Sequence, residues 1–162
     1  MKSAREMFVE SFQAERPKFL RVFEAVPPGE AGYRPHPRSS SAAEIVTMIA
    51  GEWGDAASLI EHGRCDYAPP PAAGVRDAIA LFEKNAGAIE KRLAGLSDAA
   101  WEKKTQFCMD GKVAWEAPLG EMLFGFLFDA IHHRGQLSTY LRPMGAKVPS
   151  IYGPSADDPG QA

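Results

Sequence analysis

The chain has 162 residues, is 45% hydrophobic and carries a formal net charge of -3, the size and composition of one domain with an ordinary core. The acidic balance (pI about 5.8) and scattered Lys and Arg argue against the basic face of a nucleic-acid binder. No stretch reaches the ~20 apolar residues of a membrane span, and the N-terminus MKSAREMFVESFQAERPKFL lacks the apolar region of a signal peptide.

A cytoplasmic protein is expected, with no membrane association. Cys65 and Cys108 lie far apart without a CxxC pattern, which suits reduced thiols; a single disulfide between them stays open. One domain is expected over 1–162, with an irregular tail from about 146. Pro and Gly separate four helical stretches. The first runs from about Ser3 to Ala25 and ends before Pro27-Pro28-Gly29; Pro17 inside it should kink or loosen it. A polar connection then leads to Ser41-x-x-Glu44, the form of a capping box. The second helix extends from there to about Glu61. Its apolar stripe is Ile45, Ile49, Ala56 and Leu59, and Glu52 falls on the same line.

His62-Gly63 closes that helix, and a loop containing Tyr67-Ala-Pro-Pro-Pro71 follows. Some 13 residues at ~3.3 Å each reach ~40 Å, enough to return along a helix of ~20 residues, so the second and third helices can run parallel. The third spans about Val75 to Leu93, with Ile79, Phe82, Ile89 and Leu93 inward. Thr105 to Glu116 alternates around Asp110-Gly111, a hairpin-type turn signal, and reads as a short extended excursion. Pro118 starts the last helix, whose stripe is Met122, Phe126, Leu137 and Leu141. The expected fold is all-α: a four-helix bundle, up-down-down-up, with that excursion before the last helix.

Asp129 and His133 interrupt the last stripe, and residues four apart on a helix are neighbours. A carboxylate in an apolar core is costly unless it is paired or binds a metal. Joined to Glu52, the pair makes a candidate divalent-metal site of Glu52, Asp129 and His133, and such a donor set suits Zn, Ni, Mn or Fe. The alternative is a structural Asp129–His133 hydrogen bond with Glu52 at the bundle edge. His132 lies one residue off the inward line, with Glu121, Gly125 and Gln136, beside the site or on the surface. Arg134 and Gln136 bond carboxylates or a substrate, or Arg134 pairs with an acid of a neighbouring helix. Trp53, Phe126, Phe128 and Tyr140 are either pocket wall or core. His36, in a loop, and His62, at a helix end, are too far away to join. There is no Gly-rich phosphate loop and no GxSxG, and neither Cys has a base close in sequence.

The segment from Ile131 to Arg142, with HHRGQL at its centre, followed by Met144-Gly145 and Val148-Pro149, resembles the DinB/YfiT-like superfamily. Ala25-Val-Pro27, Tyr33-Arg-Pro-His36, Ser41-Ala-Ala-Glu-Ile45 and Ser150-Ile-Tyr-Gly-Pro-Ser155 are also similar to its members, so the likeness covers most of the chain. HHRGQL is its specific part. The resemblance implies the up-down-down-up bundle, a homodimer, and a metal held by three histidines: one from the second helix and an His-x-x-x-His pair from the last. The last of these matches His133, the first of the pair falls on Asp129, and the second-helix position falls on Met48. Related mycothiol-dependent isomerases offer a precedent for a carboxylate at Asp129, with Glu52 taking the role that Met48 cannot. Otherwise the metal is absent and the bundle survives as a scaffold. The implied functions are a thiol-dependent transferase or isomerase, in which the metal activates a low-molecular-weight thiol such as bacillithiol or mycothiol for a small-molecule substrate, or a hydrolase using metal-activated water. The rival is a non-catalytic stress-response or binding protein. A nucleic-acid role, suggested only by the family's DNA-damage-associated name, is opposed by the acidic balance.

Overall fold

Two Ser-x-x-Glu boxes start the long N-terminal helices of the computed structural model, which describes residues 1–71 and 73–160. At helix α1, Ala4–Glu24, the Glu6 amide donates to the Ser3 hydroxyl at 3.2 Å and the Ser3 amide donates to the Glu6 carboxylate at 2.7 Å. Ser41 and Glu44 make the same exchange at α2, Ala42–His62, which closes on Gly63 in the left-handed conformation, φ 70°. Each box satisfies two amides in a helix start that otherwise lack partners. The helix α1 runs unbroken through Pro17, so the loosening expected there is confined to the amide that proline lacks.

The other long helices are α3, Val75–Leu93, and α5, Leu119–Leu141, with the four-residue α4, Asp98–Trp101, between them. The core is strongly aromatic. Trp53 is 1% exposed and meets Phe12, Phe19 and Phe82 edge-on, at ring separations of 4.9, 6.0 and 6.3 Å. Edge-on pairs of this kind each contribute about 0.5–1.5 kcal/mol beyond the area they bury.

The all-α bundle expected from the helical periodicity is corrected by a three-stranded mixed sheet. Strand β1, Arg64–Tyr67, occupies what reads as loop after α2. Strands β2, Lys104–Met109, and β3, Lys112–Pro118, are the extended excursion. β2 and β3 pair antiparallel, and β1 joins β2 in parallel with Arg64 opposite Gln106, 42 residues further along the chain. The molecule is therefore mostly helical but not purely a four-helix bundle. Local pattern does not reveal β1, because four residues between a helix cap and a proline run show no period; their partner is distant in sequence. The turn is legible: Asp110 and Gly111 both take positive φ, 49° and 73°, as a tight two-residue hairpin turn requires.

The helix α4 exists to seat Trp101, which is 5% exposed and packs on Phe8 and Phe124. Its ring lies directly on Gly120, where a Cβ would come within 2.1 Å of it. Gly120→Ala is therefore expected to destabilise the protein by about 1–3 kcal/mol through overpacking. Urea unfolding reads this, and an unchanged midpoint would show that the indole yields freely.

Beyond α5 the chain is irregular through residue 160 and is tied back onto the helices. The Asp157 carboxylate accepts from Arg142 Nε at 2.9 Å and from the Val148 amide at 3.0 Å. No helix among the described residues is long and apolar enough to cross a membrane.

Candidate metal centre

Glu52 on α2 and Asp129 and His133 on α5 each offer one donor atom, and these atoms lie within 4.8 Å of one another. Glu52 sits on the buried stripe of α2, 7% exposed, and its Oε2 has no hydrogen-bond partner among the described residues. The His133 side chain is 21% exposed and its Nε2 lies 3.4 Å from Asp129 Oδ2. Asp129 itself is more than half exposed. It forms the mouth of the site and does not point into the core, as the stripe alone suggests.

The electrostatics follow from this placement. Burial first, then the neighbouring Asp129 carboxylate and the charge of Asp55, push the Glu52 carboxyl up to about 9. Asp55, nearly one turn further along α2, is itself raised to about 6 by burial. It lies off the apolar line of α2, so the stripe does not reveal it. A buried carboxyl with an unpaired oxygen, beside a second carboxylate and an imidazole, is a place where a cation would replace a missing partner.

The histidine is held from behind. His133 Nδ1 lies 3.2 Å from Gln136 Oε1, Gln136 Nε2 donates to the Tyr140 hydroxyl at 3.4 Å, and that hydroxyl donates to the Ser40 carbonyl at 3.3 Å. The direction of this chain is set at its far end, because a carbonyl only accepts. Gln136 therefore presents its carbonyl to Nδ1–H, which leaves Nε2, on the side of Asp129, as the nitrogen that a metal would take. A ligating histidine is commonly oriented through its other nitrogen in this way.

Above Glu52 and Asp129 opens a cavity of about 490 Å³. Met48, where the resemblance puts a histidine, is one wall, and Phe126 is another. Tyr67, Phe107, Met109 and Trp115 complete it, all from the sheet. Gly125 lets the Trp115 ring lie on α5, since a Cβ there would come within 2.6 Å of it. Of the aromatics considered for a pocket from sequence, Phe126 alone lines this one. Trp53 is core, Phe128 is 63% exposed, and Tyr140 is buried with its hydroxyl in the chain behind His133. The sheet aromatics were hidden in the sequence because Phe107 and Trp115 become neighbours only in the hairpin register. A second cavity, about 530 Å³, adjoins across Met48 and Tyr67.

The remaining candidates divide. Gln136 stands directly behind the site. His132 is exposed and touches it only through ring contact with His133, at 5.1 Å between centroids. Arg134 is turned away: 1% exposed, it donates to Glu15 of α1 at 2.5 Å and to the Tyr152 hydroxyl at 2.7 Å. It is the partner of an acid on a neighbouring helix and not a group of the cavity. His36 accepts from the Arg38 amide in its loop and His62 lies beside Glu61, so neither joins the cluster.

A family model described as the DinB family matches residues 1–161. No curated protein matches the chain. Among solved structures, a DinB-like protein from Bacillus subtilis is similar over 87% of this chain and 93% of its own, at 23% identity and a TM-score of 0.69. A DinB-like protein from Bacillus cereus is similar over 90% and 95%, at 16% identity and a TM-score of 0.75. At these identities the two structures speak for the fold.

Proposed function

The chain belongs to the DinB family, and from that premise we propose that it is a divalent-metal-dependent enzyme, with Glu52, Asp129 and His133 holding the ion. One observation carries the reading: Glu52, buried and with one carboxylate oxygen partnerless, brings a donor atom within 4.8 Å of donors on Asp129 and His133. The donor set is a single imidazole with two carboxylates, which suits Zn, Ni, Mn or Fe. A bound divalent ion would make a thiol or a water easier to deprotonate near neutral pH. The reaction class we favour is thiol-dependent transfer or isomerisation of a small molecule, with a low-molecular-weight thiol as co-substrate; hydrolysis is the variant with water.

The chain's own residues have definite parts in this. Gln136 holds the proton on His133 Nδ1, so that Nε2 stays available as a donor. Glu52 and Asp129 bring negative charge, which weakens the pull on a bound thiol relative to neutral ligands. Phe107, Trp115 and Phe126 give the cavity an apolar side. We further propose a homodimer, as the family resemblance implies, and a cytoplasmic location, as the charged N-terminus suggests.

Met48 favours a second reading, a non-catalytic binding or stress-response protein in which Asp129 and His133 are a structural pair. Elemental mass spectrometry of the purified protein separates the two. Near-stoichiometric metal is expected in the wild type and loss of it in Asp129→Ala and His133→Ala. In Gln136→Leu, affinity should fall about 10–100-fold, the usual cost of removing the group that orients a ligating histidine. Wild-type protein that takes up none of Zn, Ni, Mn or Fe on reconstitution would leave the scaffold reading.

A further inference from the structure

The charge and wall chemistry of the 490 Å³ cavity select among ligands, independently of any metal. Neither Lys nor Arg lines it among the described residues. Of the nearby cations, Arg64 donates to Asp66 and Gln106, Lys104 pairs with Glu116 and Arg134 faces α1, while Lys112, opposite Met109 in the hairpin, is exposed and does not line the cavity. A carboxylate or phosphate entering here would meet two acids and no counter-charge.

The walls are mostly aromatic, with Met48 and Met109 among them. The Phe107 ring lies 6.0 Å from Tyr67 and 5.8 Å from Phe126, and Trp115 closes the side over Gly125. At the floor is Glu52, 7% exposed with one oxygen unpartnered, and at the mouth is the exposed Asp129 carboxylate. Aromatic faces attract cations through the negative charge of their π clouds, most strongly when water is excluded. A cage of rings with a carboxylate at its rim and no competing base is the chemistry that recognises an organic ammonium ion.

We propose that this cavity binds an amine carried on an apolar body, with the body against Phe107, Trp115 and Phe126 and the ammonium group between the ring faces and Asp129. The geometry makes Asp129 the counter-ion and the rings the source of body affinity, so the two contributions separate by substitution. Asp129 and Trp115 are partly exposed, and their replacement leaves the core intact.

The test uses three probes of one body and different charge: phenethylamine, 2-phenylethanol and phenylacetate, titrated calorimetrically into chelator-treated full-length protein at pH 7. The amine is expected to bind at least about tenfold more tightly than the alcohol, and the anion not measurably. Asp129→Asn should bring the amine down to the level of the alcohol, and Trp115→Ala should weaken both. Zinc added beforehand should weaken the amine at least about tenfold and leave the alcohol nearly unchanged, because ion and ammonium share Asp129. Equal binding of amine and alcohol, or an Asp129→Asn protein that keeps the preference, would overturn the proposal. A protein that prefers the amine yet takes up no metal would sustain it while removing the metalloenzyme reading, and a metal-binding protein indifferent to probe charge would do the reverse.

Discussion

The metal-free protein is expected to lose stability steadily as the pH rises from about 4.5 to about 9, and Glu52 is the cause. Its carboxyl titrates near 4.5 when the chain is unfolded and near 9 when folded, because burial beside Asp129 penalises the charged form. Between these values the folded state holds a proton that the unfolded state has released. The unfolding free energy then falls with pH, by at most ~1.4 kcal/mol per unit for one such group. The cost is absent below the unfolded value, accrues across the window and is complete above the folded one. Asp55, raised from 3.8 to about 6, adds to the fall at its acidic end. Glu15 works in the opposite sense: held low, it contributes stability above its unfolded value and loses it only in acid, so it does not mask the effect at neutral pH. Denaturant unfolding at a series of pH values, with chelator present, reads the slope. Glu52→Gln should flatten it between pH 6 and 9, and added metal should flatten it in the wild type by favouring the ionised form. A Gln variant with the wild-type slope would show that the proton sits elsewhere.

The largest single-residue loss of stability is expected from Glu15→Ala. Glu15 and Arg134 are both buried, and their ion pair joins α1 to α5. The Tyr152 hydroxyl donates to the same Glu15 oxygen at 2.9 Å and accepts from Arg134, whose guanidinium also stacks 4.7 Å from the Phe19 ring centre. Removing the carboxylate strands a guanidinium that is 1% exposed and whose Nε already lacks a partner among the described residues. Breaking a buried pair from one side costs about 3–5 kcal/mol, or roughly 10 °C in Tm for a chain of this size. The double variant Glu15→Leu/Arg134→Met should recover much of that loss, since apolar replacement of both partners strands no fully buried charge; Lys18, which pairs with Glu15 at 2.6 Å, is one-fifth exposed and turns to solvent. If the double variant is less stable than the single one, the pair is favourable in itself and this account of it fails. The network lies behind α5, away from the cavity, so metal uptake should be unaffected in the double variant.

What the sequence disclosed is what local chemistry controls. The Ser41–Glu44 box, the Gly63 stop and the Val75–Leu93 stripe depend on residues within a few positions of one another, and those helices stand where periodicity puts them. The approach of Glu52 to Asp129 and His133 was also legible, because helix phase places each on an inward line. Depth was not: phase cannot tell that Asp129 lies at a mouth. The sheet escaped for a different reason. Strand β1 owes its existence to Gln106 and its neighbours, and the cavity wall owes its shape to a cross-strand pair, Phe107 with Trp115. Sequence allows Arg134 two roles, and the fold decides between them by putting Glu15 opposite it.

The parallel pairing of β1 with β2 has a consequence for how ligand energy is shared. A cut anywhere in α3 would leave Glu52 and Tyr67 on one fragment and Asp129, His133 and Trp115 on the other. Neither half of the chain holds the 490 Å³ cavity by itself; it exists only where the halves close on each other. Whatever binds there therefore acts as a clasp between sequence-distant segments, and its binding free energy is returned to the closure of the whole chain, not to one helix or strand.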